Sequence, residues 1–172
     1  MKLVEGDSVV AALLSLGRGE YLVTTNNAQT LRFSDEGLRA QGRVGQGVAA
    51  ITLATGAQVV SASYLDGDLL ANTINPLSFF VITGNGLAKK VPLEQYPQKG
   101  RATSGVITTE LIGDDRVLFS LIVGEQDHLL LTWRDEGGEQ AKAIKVVDLK
   151  ALPRAKRGAP LLNGRVLEVM KL

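Results

Sequence analysis

Phe80-Val-Ile-Thr-Gly-Asn-Gly-Leu-Ala-Lys-Lys-Val-Pro92, followed by Lys99-Gly-Arg-Ala-Thr-Ser-Gly-Val106, decides the fold of this chain. About 58 residues earlier the same order occurs: Tyr21-Leu-Val-Thr-Thr-Asn-Asn-Ala-Gln-Thr-Leu-Arg-Phe33 precedes Gln41-Gly-Arg-Val-Gly-Gln-Gly-Val48. Each copy reads as an apolar strand, an Asn-containing turn, a second strand bearing basic residues, a polar loop, and Gly-Arg-x-x-x-Gly-Val. Recurrence at this period marks an array of supersecondary units, as in a propeller.

Aligning Thr24, Thr83 and Thr132 divides the chain into three units, at about 6–56, 57–114 and 115–172, within a single domain spanning 1–172. Four strands are expected in each, near 8–15, 20–25, 28–33 and 47–53 in the first. The second should hold strands near 58–64, 78–83, 87–92 and 105–111, and the third near 115–123, 128–133, 140–147 and 164–170. Val, Ile, Leu, Thr and Phe dominate these runs, and turn residues separate them. Asn26-Asn27 and Asn85-Gly86 suit hairpin turns whose central residues take positive φ, and Asp66-Gly67 and Gly137-Gly138 read as further turns. In the third unit the motif has drifted, and its expected counterpart is Arg157-Gly-Ala-Pro-Leu-Leu-Asn-Gly-Arg-Val166. Four-stranded units in tandem read as blades. The expected fold is therefore all-β, an array of about three blades, a number that suits half of a ring.

Composition narrows the function. The 172 residues are 45% hydrophobic and 22% charged, which suits a packed core. No uninterrupted apolar run is long enough for a membrane span, and the start lacks a secretory h-region, so a cytoplasmic location is expected. Cysteine is absent, which removes disulfides and thiolate chemistry. With one histidine, His128, no recognisable nucleophile motif and no metal-ligand cluster, neither catalysis nor a metal or other cofactor is expected. Net charge is only +1, from 19 basic and 18 acidic side chains. A nucleic-acid partner would then require the basic residues to be concentrated on one face. Lys150, Arg154, Lys156 and Arg157 lie within eight residues that contain no acid.

Val81-Ile-Thr-Gly-Asn-Gly-Leu-Ala-Lys-Lys-Val-Pro-Leu-Glu-Gln-Tyr96 with Gly100-Arg101-x-x-x-Gly105-Val106 resembles a blade of the C-terminal domain found in the A subunits of DNA gyrase and topoisomerase IV. Leu31-Arg-Phe-Ser-Asp-Glu36 with Gly42-Arg43-x-x-x-Gly47-Val48 resembles another. The resemblance implies a β-pinwheel whose blades exchange strands, binding double-stranded DNA on its outer rim and bending or wrapping it beside the catalytic topoisomerase subunits. It also implies an accessory, non-catalytic role, with Tyr96 a packing residue of the blade. Two features depart from the pattern. The nearest counterpart of the gyrase box, Gln41-Gly-Arg-Val-Gly-Gln-Gly47, has one basic residue in place of two, and three blades stand where family rings carry five or six. A fragment, a truncated paralogue and a half ring closed as a homodimer all fit, and the homodimer is the expectation.

The candidate DNA contacts are Arg32, Arg39, Arg43, Lys89, Lys90, Lys99, Arg101, Lys150, Arg154, Lys156 and Arg157. Arg43 and Arg101 follow glycines at equivalent loop positions, where they could engage phosphate or brace the junction between blades. Lys89, Lys90 and Arg32 follow hairpin turns and read either as part of a basic stripe or as solvated surface. Lys99, Arg39, Lys142 and Lys145 are weaker candidates of the same kind. The alternative to DNA binding is a protein-interaction or assembly module that kept the blades.

Overall fold

The computed structural model describes residues 3, 5–42, 45–72 and 76–172. Among the described residues three antiparallel sheets follow one another and do not close into a ring. The first sheet contains β1 (Gly19–Thr25), β2 (Gln29–Ser34), β3 (Val59–Asp66) and the two-residue β6 (Val106–Ile107), in the order β3-β1-β2-β6. The second contains β4 (Ser78–Thr83), β5 (Leu87–Pro92), β7 (Val117–Val123) and β10 (Ala159–Pro160), in the order β10-β5-β4-β7. Among the described residues the third has three strands, β8 (His128–Asp135), β9 (Gly138–Lys145) and β11 (Arg165–Lys171), in the order β11-β8-β9. A short helix, α1 (Gly67–Asn72), follows β3.

Each of the first two sheets takes its last strand from further along the chain. β6 lies beyond β5 in sequence yet pairs with β2, and β10 lies beyond β9 yet pairs with β5. The expected strands at 8–15 and 47–53 do not form, apart from a parallel bridge between Ile51 and Thr103. The fourth place in the first sheet is taken by β6, a strand of the next unit, and among the described residues neither segment pairs within a sheet.

Pairing also sets the register of the repeat. Bulges fall at Thr24/Thr25 in one sheet and at Ile82/Thr83 in the next, so Thr25 corresponds to Thr83, and Thr24 to Ile82. Both hairpins are turns whose last residue carries the positive φ, Ala28 at 65° and Gly86 at 76°. The asparagines occupy the preceding positions, where ordinary negative φ suffices. This is a type I turn followed by a left-handed residue, rather than the turn expected from the asparagines. Asp66-Gly67 opens α1 instead of forming a hairpin, with the Asp66 carboxylate accepting the Asp68 N–H at 2.8 Å.

Alternation along the central strands builds two interior layers. Leu22, Leu65, Phe79, Val81, Val91, Leu93, Tyr96 and Val117 fill the space between the first and second sheets. Phe80, Ile82, Val123, Leu129, Leu131, Val146 and Val166 fill that between the second and third. Adjacent residues Phe79 and Phe80 thus serve opposite layers, as the pleat requires. Burying each ring stabilises by about 2–3 kcal/mol. Tyr96 sits edge-on to Phe79 with ring centroids 5.1 Å apart, as a packing residue. Trp133 is half-buried on β8 opposite Val166.

Candidate nucleic-acid interface

The polar loop of each later unit crosses the third strand of the blade before it. In the second unit Gln98 bridges Arg32 in parallel, and the Lys99 N–H donates to the Arg32 carbonyl at 2.9 Å. In the third unit Ala151 bridges Lys90, and the Leu152 N–H donates to the Lys90 carbonyl at 3.0 Å. The chain then turns and enters β6 or β10. These paired contacts align Gly100-Arg-Ala-Thr-Ser-Gly-Val106 with Pro153-Arg-Ala-Lys-Arg-Gly-Ala159. The motif of the third unit is therefore Pro153–Ala159, not the Arg157–Val166 stretch expected from sequence.

The alignment pairs Arg101 with Arg154, and both make the same contact. The Arg101 guanidinium donates to the Ala49 carbonyl at 3.4 Å, and that of Arg154 to the Ile107 carbonyl, 58 residues further on. The motif arginine thus braces the strand-exchange junction. Arg43, the first member of the series, lies outside the described residues. Glycine at the end of the motif allows close approach. A Cβ on Gly105 would overlap the Thr30 carbonyl oxygen, and one on Gly158 would come within 3.0 Å of the Ala88 nitrogen.

Two expected DNA contacts, Lys89 and Lys90, are interior instead, and a third, Arg32, is half-buried. Lys89 is 1% exposed, and its ammonium donates to the carbonyls of Pro153 at 2.9 Å, Arg154 at 2.6 Å and Lys156. Three carbonyls match the three donors of an ammonium. Burial, and then the neighbouring Arg154 charge, pull its pKa down to about 8. Lys90 is 6% exposed and donates to both Glu125 oxygens, at 2.8 and 2.6 Å, and to the Val146 carbonyl at 3.1 Å. Arg32, equivalent to Lys90, pairs with Glu20 and donates to the Leu93 and Tyr96 carbonyls at 3.2 Å each. Adjacent lysines do point to opposite faces of β5, as alternation demands. Both faces, however, are covered: one by the 153–156 loop, the other by the 3₁₀ turn Val146–Asp148. Burial thus takes Lys89 and Lys90 off the rim, while Arg32 is half-buried with its guanidinium committed to Glu20 and two carbonyls.

Six of the remaining candidates are exposed. Arg39, Lys99, Arg101, Lys150, Lys156 and Arg157 all face solvent, and Arg154 is half-buried. Arg157 approaches Glu110 at 3.7 Å, and among the described residues no carboxylate pairs with Arg39, Lys99, Arg101, Lys150 or Lys156. Lys99 and Arg101 share one crossing loop; Lys150, Arg154, Lys156 and Arg157 share the next. Sequence reasoning missed a structural carboxylate. Asp35 is buried and accepts from the Gly19 N–H, the Tyr64 hydroxyl and the Ser15 hydroxyl, each at 2.9 Å. Burial works against its charge, but these hydrogen bonds outweigh it and hold its pKa below the usual aspartate value.

A serial array of antiparallel blades, the first two each completed by a strand from the next unit and crossed by its Gly/Pro-Arg loop, defines a strand-exchanging propeller class. The chain belongs to the DNA gyrase C-terminal domain, beta-propeller family, whose model matches residues 19–66 and 78–123. The A subunit of DNA gyrase from Staphylococcus aureus (strain MRSA252) is 29% identical over 161 residues, covering 92% of this chain and 17% of that protein. The chain thus spans about a sixth of the length of the curated relatives it matches. A crystal structure of the C-terminal domain of DNA topoisomerase IV is similar over 99% of this chain and 52% of its own, with a TM-score of 0.86 and 26% identity. The E. coli ParC C-terminal domain shares the fold at a TM-score of 0.74 and 18% identity, over 99% of this chain and 67% of its own. Among the described residues no helix is long and apolar enough to cross a membrane.

Proposed function

We propose that this chain is the non-catalytic DNA-binding module of a type II topoisomerase A subunit. It holds a bent duplex against its outer loops through phosphate contacts and works beside the catalytic subunits. The observation that carries the reading is the pair of equivalent crossing loops, which bring Lys99 and Arg101, then Lys150, Lys156 and Arg157, to solvent on successive blades. Cations spaced by one blade suit a backbone that curves past each loop in turn, with little reading of base edges. Arg39 and Arg43 extend the set by their place in the first unit. With a net charge of only +1, binding rests on local concentration of charge rather than on overall attraction.

The test is affinity for a duplex of about 40 base pairs across a salt series. Affinity that falls steeply with salt supports the reading; no binding at low salt, or indifference to salt, overturns it. A second reading, an assembly module, draws on the use of Arg32, Lys89 and Lys90 as internal struts. It predicts no salt-dependent duplex binding.

A further inference from the structure

The first unit carries the same motif as the second and third, yet among the described residues it crosses no blade. Gly47 corresponds to Gly105 and Gly158, the two glycines pressed against a neighbouring strand. Its φ of 78° matches the 76° of Gly105, but a Cβ on Gly47 would meet nothing within 4 Å. Val48, the counterpart of β6's Val106, is 55% exposed. The turn before it is already set: the Gly45 N–H donates to the Gly42 carbonyl at 2.9 Å, as the Lys156 N–H donates to Pro153 at 3.1 Å in the engaged third-unit loop. In this turn and this φ the segment matches the two engaged ones, and among the described residues no strand accepts it.

The opposite end of the array shows the converse. β9 corresponds to β2 and β5, and among the described residues no strand lies on its outer side. Through the pairs Thr24↔Thr30, Ile82↔Ala88 and Thr132↔Ala141, Ala141 takes the place of Thr30 and Ala88. Lys142 then takes the place of Lys89, the lysine that grips a crossing loop, and it is exposed. The flat faces follow the same rule. Tyr21, Val23 and Phe33 correspond to Phe79, Val81 and Val91, which bind the preceding blade, and they border an open apolar hollow with Leu38, Val48 and Ala50. At the far side Leu130 corresponds to Leu22 and Phe80, and Leu172, 65% exposed, to the buried Leu65 and Val123.

We infer that a second copy of this chain docks head to tail, with residues 45–49 of one copy laid along β9 of the other. The surfaces it joins are the two halves of a junction the chain already makes twice within itself, so complementarity is built into the repeat. In this register Val48 opposes Ala141, Ala49 opposes Gln140, and the Lys142 ammonium donates to the Gly42 carbonyl. The solved topoisomerase IV domain, of which this chain covers 52%, has the length of two such arcs. Two copies joined this way satisfy both open ends at once, whereas a single junction would leave a chain free to grow.

Light scattering on the 18.3 kDa chain is expected to give twice that mass at micromolar concentration. Gly47→Asn should return it to the monomer with the fold retained, since asparagine tolerates the left-handed conformation and the site is open within the protomer. Because the chain has no cysteine, Val48→Cys combined with Ala141→Cys should form an intermolecular disulfide under mild oxidant, and neither single variant should match it. A wild-type monomer overturns the inference, as does a dimer that resists Gly47→Asn and leaves the double-cysteine variant uncrosslinked. Neither assay contains DNA, so their failure and that of the DNA-binding reading are separable.

Discussion

The Lys89 ammonium nitrogen lies 2.9 Å from the carbonyl oxygen of Pro153, a residue of the next unit that no regular ladder connects to β5. One side chain thereby closes the loop that leads into β10. Lys89→Met removes the donor and leaves three carbonyls with the cost of desolvation, so it should destabilise by about 1–3 kcal/mol. Denaturant titration checks the magnitude.

The same lysine gives a pH signature. Its folded pKa, near 8, lies below the unfolded value of 10.5. Between these values the unfolded chain holds a proton that the folded one has lost, so stability contributed through this group rises with pH over that window. Wild type should therefore gain on Lys89→Met between pH 8 and 10.5 in parallel melts. A gap that narrows would contradict the assignment.

Asp35 predicts the opposite edge of the pH range. Its folded pKa is lowered from 3.8 by hydrogen bonds, so the stability it contributes is present above pH 3.8 and is lost as pH falls through the folded value. Asp35→Asn should cost about 1–3 kcal/mol at neutral pH and flatten the acid limb of the stability profile.

Gly105→Ala should be more damaging than Gly56→Ala, although the two glycines hold φ values of 76° and 74°. The conformational strain is common to both, but only at Gly105 would the new methyl overlap backbone, at Thr30. A loss of about 1 kcal/mol for Gly56→Ala against at least twice that for Gly105→Ala is expected by thermal melting.

For DNA, replacing Lys99, Lys150, Lys156 and Arg157 together by Gln should weaken binding alike on unrelated duplexes. The salt slope should shrink by about 0.9 for each phosphate contact removed. An unchanged slope would show that these loops do not carry the interaction.

The strands around Thr24 and Phe80 are legible in the sequence because β-branched and aromatic residues coincide there with turn signals and a fixed period. Arg154 escapes alignment because Pro153 and Ala159 replace the glycine and valine that flag the motif, while the backbone contacts persist. Lys89 and Lys90 mislead because alternation tells which face a side chain takes, not what a distant segment lays over that face. Residues 47–53 carry a strand-like pattern, but a pattern supplies only one side of a ladder.

Strand donation from later units also fixes an order of events during synthesis. The first sheet cannot be completed until Ile107 has left the ribosome, nor the second until Pro160 has. Each blade must therefore wait, incomplete and with an unpaired edge, while the unit that completes it is translated. A nascent chain stalled between units would present an aggregation-prone edge, and that exposure is where a chaperone would act.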